Sequence, residues 1–155
     1  MGKGCGVADG GGVTRLAGMS VEIRFPVEFV VRGTPVSLQT KNPRAIEAWK
    51  RRVRDASLDA LPEGHFQSEG DRFAVTILHF PASTMQGDII KPILDAMSQH
   101  IYADDQYVER IWVQRIRPGE RVPFHAPSPA LQIALHGPGP ITYIRVSDDP
   151  LERLP

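Results

Sequence analysis

Residues 72–80, RFAVTILHF, are the segment that most constrains the fold, because both of its faces are apolar. In an extended chain, successive side chains point to opposite faces. One face would carry Phe73, Val75 and Ile77, and the other would carry Ala74, Thr76, Leu78 and Phe80. A strand that is apolar on both faces needs cover on both, which is typical of a central strand. The sequence therefore predicts a layered domain with this strand inside its sheet.

Patterns on either side of this strand predict further strands and helices. Residues 27–31 are rich in Val and Phe, which favours a strand. Asn42 and Pro43 match an N-cap followed by proline at the first helical position, and apolar side chains then recur at helical spacing to about residue 61. A second apolar stripe at helical spacing consists of Ile90, Ile93, Leu94, Met97 and Ile101. Three more strands are predicted at residues 107–117, 131–136 and 141–146.

This order of elements predicts an α/β domain of the α+β kind, with a single mixed β-sheet packed against two main helices. The length of 155 residues fits one domain, which we expect at residues 19–147. Residues 1–18 are rich in glycine and poor in hydrophobic side chains, so we expect a disordered N-terminal tail there. Residues 148–155 are expected to form a C-terminal tail.

Composition excludes several classes of protein. Cys5 is the only cysteine, which excludes a disulfide framework and a thiolate zinc site within one chain. No apolar run is long enough to span a membrane, and the N-terminus lacks the apolar centre of a secretory signal. We therefore expect a cytoplasmic protein with no membrane partner. The formal net charge is zero, so any nucleic-acid surface has to be a local concentration of positive charge.

The segment GDIIKPILDAM and the later YADD carry the residues with the clearest chemical potential. Asp88, Lys91 and Asp95 are spaced i, i+3, i+7 and share one helix face, opposite the apolar stripe. Asp104 and Asp105 follow in a short loop, and a tight return there would bring them back towards Asp88. Carboxylates can hold Mg²⁺, which supplies a nucleophilic water and neutralises charge during phosphodiester hydrolysis. A lysine beside them can stabilise the transition state.

Each of these residues also has an ordinary structural interpretation. Asp88 could cap the free N–H groups at the start of the helix. Lys91 and Asp95 could be a surface ion pair one helical turn apart. Asp104 and Asp105 could belong to a plain turn.

The stretch GDIIKPILDAM…YADDQYVERI resembles the RusA-like Holliday-junction resolvase family. The family signature is Asp-x-Asp-Asn-x-x-Lys-x-x-x-Asp-Ala-Leu, then an apolar stretch and Asp-Asp-x-x-Val. Lys91 and Asp95 match the first part, and Asp104 and Asp105 match the second. The resemblance implies a Mg²⁺-dependent endonuclease, with Mn²⁺ as a substitute ion, that resolves branched DNA as a homodimer.

The resemblance also implies the role of each site residue. Lys91, Asp88 and Asp105 are the expected catalytic residues, and Asp88 and Asp105, supported by Asp104 and Asp95, are the expected metal ligands. Aligned without gaps, however, Asp88 falls on the asparagine position of the signature. Gly87 and Met85 then stand where two metal-binding aspartates are expected. With a short deletion in the loop, Asp88 would instead replace one of those aspartates. A second hypothesis is therefore a relative that binds DNA or another partner without nuclease activity.

Basic side chains near the motif are candidates for contact with DNA phosphates. Lys50 and Arg51 lie in a basic run on the first predicted helix, and Arg110 and Arg115 lie on the strand after the Asp pair. The alternative is that these side chains only face water, balanced by neighbouring carboxylates such as Glu47.

Overall fold

The computed structural model describes residues 21–81 and 88–153. Within these ranges the chain forms four strands and three α-helices. The strands are β1 (Val27–Arg32), β2 (Phe73–Phe80), β3 (Val108–Arg115) and β4 (Ile141–Ser147), and the helices are α1 (Pro43–Asp59), α2 (Ile90–Met97) and α3 (Pro129–His136). The predicted disordered tail at residues 1–18 lies outside the described residues. Over these same ranges, no helix is both long and apolar enough to cross a membrane.

The strands form one mixed sheet in the order β1-β4-β2-β3. Strand β4 pairs antiparallel with β1 and with β2, while β2 and β3 are parallel. Strand β2 is central and almost entirely buried, as its two apolar faces predicted. The fold is therefore α+β with a mixed sheet, and β3 lies at a sheet edge.

Helices α1 and α2 cover one face of the sheet. Helix α1 begins after Asn42, whose side chain accepts a hydrogen bond from the N–H of Ala45, and Pro43 follows as predicted. Its buried side chains, Trp49, Val53 and Ser57, recur every four residues and pack towards the main core. This core also includes Ile93 and Met97 of α2 and alternate residues of strands β1, β2 and β4. Burial of this apolar surface is the main force that holds the two helices on the sheet.

The prediction of a strand at residues 131–136 was wrong, because these residues belong to helix α3. Ser128 caps this helix by accepting a hydrogen bond from the N–H of Leu131, and Pro129 occupies the first turn. Leu131 and Ala134 are buried against Tyr143 and Ile141 on the second face of the sheet. The helix therefore supplies the cover that the second apolar face of β2 requires.

Helix α2 is shorter than its apolar stripe implied. It ends at Met97, and Gln99 adopts a φ of 72°, a left-handed conformation that does not continue an α-helix. Ile101 is nevertheless fully buried, because the chain turns back under the helix. The hydroxyl of Tyr102 donates to the carbonyl of Leu94 at 2.9 Å, which fastens this turn to α2. The turn leads directly into Asp104 and Asp105.

Candidate functional site

The candidate site is centred on Lys91, in the first turn of α2. Its Nζ lies 2.8 Å from Oδ1 of Asp95, one helical turn further on, and 2.5 Å from Oδ2 of Asp105. Asp105 begins a short 3₁₀ segment that ends where β3 starts. The structure therefore brings two carboxylates, Asp95 of α2 and Asp105 of the following segment, together on one ammonium group.

The contact between Lys91 and Asp105 favours the ionised form of both side chains. Hydrogen bonds to Asp105 and then to Asp95 raise the pKa of Lys91 above its usual value. The same contact with Lys91 lowers the pKa of Asp105. The side chains are 48% exposed for Lys91, 34% for Asp95 and 26% for Asp105. Lys91 and Asp105 are thus both ionised at neutral pH, and the cluster is open to a ligand from solvent.

The other two predicted metal ligands, Asp88 and Asp104, each accept a hydrogen bond from a backbone N–H group. Oδ1 of Asp88 accepts from the N–H of Ile90 at 2.9 Å, so Asp88 lies just before α2 and satisfies one of its free donors. Oδ1 of Asp104 accepts from the N–H of Gln106 at 3.1 Å and caps the 3₁₀ segment. These contacts match the structural interpretation of both residues, and each carboxylate keeps a second oxygen.

The donor set limits what metal site the chain can build. Among residues 21–81 and 88–153, no group of three or more His, Cys, Asp or Glu side chains could hold a metal ion. Residues 82–87, ASTMQG, contain none of these four residue types. Asp95 and Asp105 already share one cation, the Lys91 ammonium. Mg²⁺ keeps several waters and often uses only one or two carboxylates together with substrate phosphates. The described residues therefore do not fit an all-protein cage, and an ion bound here would need substrate phosphates to complete its coordination.

The predicted DNA-binding residues have different surroundings. The guanidinium of Arg110 donates from one nitrogen to the carbonyls of Pro150 and Glu152, each at 2.8 Å. Arg110 therefore binds the C-terminal segment, for which the sequence predicted only a tail. Lys50 lies 3.5 Å from Glu47 on α1, and Arg51 of the same helix is exposed. Arg115 is exposed at the end of β3.

Two buried histidines lie away from the Lys91 cluster. Nε2 of His100 lies 2.7 Å from Oγ of Ser57, and Nδ1 of His79 lies 3.0 Å from Oγ1 of Thr142. Burial lowers the pKa of each histidine to about 4. Both rings are therefore neutral at physiological pH and serve as internal hydrogen-bonding groups.

Sequence reasoning missed one residue that contacts the site. Oε1 of Gln39, in the loop between β1 and α1, accepts a hydrogen bond from the N–H of Asp88 at 2.7 Å. The two residues are 49 positions apart, and no local pattern in the sequence signals the contact.

Comparison of the chain with protein-family models, with curated proteins and with solved structures gave no match. The motif residues and the geometry of the Lys91 cluster are therefore the features from which a function can be inferred. Both are properties of this chain, and both can be tested by substitution.

Proposed function

We propose that the protein is a RusA-like, Mg²⁺-dependent endonuclease that hydrolyses phosphodiesters in branched DNA, including Holliday junctions, in the cytoplasm. One observation carries the proposal. The ammonium of Lys91 contacts Asp95 of the same helix and Asp105 of the following segment, and these are residues that match the motif of the resolvase family.

Lys91 would bind the scissile phosphate and stabilise the charge that develops on its oxygens. Its raised pKa keeps it protonated at neutral pH, and its exposure leaves the ammonium accessible to a phosphate. A phosphate oxygen would replace one of the two carboxylate contacts. The flexible stem of a lysine permits this exchange without movement of the helix.

Asp105 and Asp88 are the proposed metal ligands, with Asp95 and Asp104 in support. Mg²⁺, or Mn²⁺ in its place, supplies an activated water and neutralises negative charge at the phosphate. Asp105 is the best supported of the four, because its lowered pKa keeps a full negative charge next to Lys91. With so few protein oxygens, we expect weak metal binding without DNA and tighter binding when phosphates complete the coordination shell.

A homodimer would supply the two symmetric cuts that resolution of a four-way junction needs. Strand β3 supports this part of the proposal, because it is an edge strand with exposed apolar side chains. Ile111 is 42% exposed and Trp112 is 45% exposed. Unpaired strand edges with apolar side chains are suited to pairing between chains. Of the predicted DNA-binding residues, Lys50, Arg51 and Arg115 remain candidates for phosphate contacts, and Arg110 would act mainly through the C-terminal segment.

The test is cleavage of a synthetic four-way junction by the purified full chain. We expect nicks near the branch point in Mg²⁺ or Mn²⁺, no cleavage in EDTA, and little cleavage of a linear duplex of the same length. A wild-type protein that binds the junction but leaves it intact in both metals would refute the nuclease proposal.

The second candidate is a catalytically degenerate RusA-like module that binds branched DNA without cutting it. The specific observation in its favour is that Met85 and Gly87 stand where metal-binding aspartates are expected. Calorimetric titration separates the two candidates. Binding of the junction with neither metal uptake nor nicking favours the degenerate module.

A further inference from the structure

The loop between β1 and α1 holds Asp88 through both polar groups of its backbone. The N–H of Leu38 donates to the carbonyl of Asp88 at 2.9 Å. The N–H of Asp88 donates to Oε1 of Gln39 at 2.7 Å. Two contacts on one residue fix both its position and its orientation.

The amide oxygen of Gln39 is itself held in place. A backbone N–H can only donate, so the Gln39 atom that faces Asp88 has to be the oxygen. The hydroxyl of Ser37 donates to the same oxygen, and Oγ of Ser37 accepts from the N–H of Gln39 at 3.0 Å. The base of the loop is anchored by Pro35, which is buried, and by Val36, which packs against the main core. An exposed glutamine thus has a defined acceptor position.

A continuous set of hydrogen bonds runs from this loop to the start of α2. Gln39 binds the N–H of Asp88, and the carboxylate of Asp88 binds the N–H of Ile90. Lys91 is the next residue, and its Nζ contacts Asp95 and Asp105. A shift of Asp88 would therefore change the first turn of α2, from which Lys91 projects.

We infer that Gln39 is a positioning residue for the Lys91 cluster, and that its amide oxygen sets the location of Asp88 and of the first turn of α2. The inference rests on the proposed nuclease function for its effect on the reaction. Gln39 acts through Asp88 and needs no contact with the substrate. Groups that orient the residues of a metal or phosphate site commonly change activity by roughly 10- to 100-fold when they are replaced.

The test uses Gln39→Met, which keeps the length of the side chain and removes the acceptor, and Gln39→Glu, which keeps an acceptor oxygen. The matched control is Gln67→Met, at an exposed glutamine in the segment before β2. Two quantities are measured for each protein. The first is the hydrogen-exchange rate of the Asp88 amide by NMR. The second is the single-turnover cleavage rate with the junction affinity measured separately.

For Gln39→Met we expect the Asp88 amide to exchange about 3- to 10-fold faster, as expected for loss of one hydrogen bond. We expect the cleavage rate to fall by roughly 10- to 100-fold while the junction Kd changes by less than about twofold. Gln39→Glu should recover most of the amide protection and part of the cleavage rate. Gln67→Met should match the wild type in both measurements.

The two measurements separate the inference from the proposed function. An unchanged exchange rate of the Asp88 amide in Gln39→Met overturns the positioning role, whatever the cleavage rates are. A wild-type cleavage rate in Gln39→Met also overturns it. A wild-type protein that never cuts overturns the proposed function instead, and faster exchange in Gln39→Met then still supports the structural link to Asp88.

Discussion

Replacement of Asp105 by Asn is the sharpest test of the Lys91 cluster, because it removes one charge and almost no volume. Asp105 accepts from Lys91 at 2.5 Å, and the pair is partly exposed, at 26% and 48% of the respective side chains. Lys91 keeps its second partner, Asp95, at 2.8 Å. The substitution therefore leaves no buried charge without a partner.

The expected effect on folding is small and the expected effect on cleavage is large. Exposed ion pairs contribute roughly 0–1 kcal/mol to stability. For a chain of this size, a loss of about 1 kcal/mol lowers the Tm by roughly 2–4 °C at most. Removal of a charged group that ligates the metal ion at the reacting phosphate, or that stabilises charge there, lowers the cleavage rate by roughly 10²–10³-fold or more. Stability and activity should thus respond on very different scales.

The matched control is Glu109→Gln, at the start of β3. Glu109 forms a two-nitrogen ion pair with Arg72, and it lies outside the Lys91 cluster. Both substitutions remove one carboxylate from a surface ion pair near the same strand. Thermal unfolding and single-turnover junction cleavage should show similar Tm values for the two variants, with cleavage lost only in Asp105→Asn. Full cleavage by Asp105→Asn, or equal loss in both variants, would refute the assignment of Asp105.

Three further predictions test the histidines, the turn below the site and the DNA surface. Because burial lowers the pKa of His79 and His100 to about 4 from an ordinary value of 6.5, the unfolded chain takes up protons first as the pH falls. The contribution of these histidines to the free energy of unfolding is therefore complete above pH 6.5, and it falls by up to about 3 kcal/mol for each histidine as the pH approaches 4. Urea unfolding at several pH values measures this loss, and a free energy of unfolding that does not change with pH would contradict it. Tyr102→Phe removes the donor to the carbonyl of Leu94, so we expect a loss of about 1–2 kcal/mol in urea unfolding, and an unchanged midpoint would show that the bond contributes little. Arg51→Ala should weaken junction binding and reduce the slope of log K against log salt concentration by about one phosphate contact. Fluorescence titration at several salt concentrations measures this slope, and an unchanged slope would show that Arg51 does not contact DNA.

The elements with strong local signals were predictable from the sequence. Asn42 and Pro43 mark the start of α1 through capping chemistry, and the double apolar face of β2 requires a central position. The pairing of Lys91 with Asp95 follows directly from helical spacing. These features depend on residues that are close together in the chain, which is where sequence patterns are informative.

The features that the sequence did not reveal depend on tertiary contacts or on ambiguous patterns. Residues 131–136 are a short apolar run, which periodicity alone cannot divide between a strand and a helix. Ser128 and Pro129 are the capping signal that favours the helix, and the prediction of a strand did not take them into account. The contact between Gln39 and Asp88 spans 49 residues, so it depends on the packing of the β1–α1 loop against the start of α2.

The contacts of Glu152 have a practical consequence for the choice of the C-terminal boundary of an expressed fragment. Glu152 pairs with Arg145 through two hydrogen bonds of 2.8 Å and lies 3.8 Å from Arg110. A fragment that stops at residue 147 would leave these two guanidinium groups, each less than one-third exposed, without the acid they share. Expression vectors for this protein should retain the sequence through Glu152 and carry any purification tag beyond it.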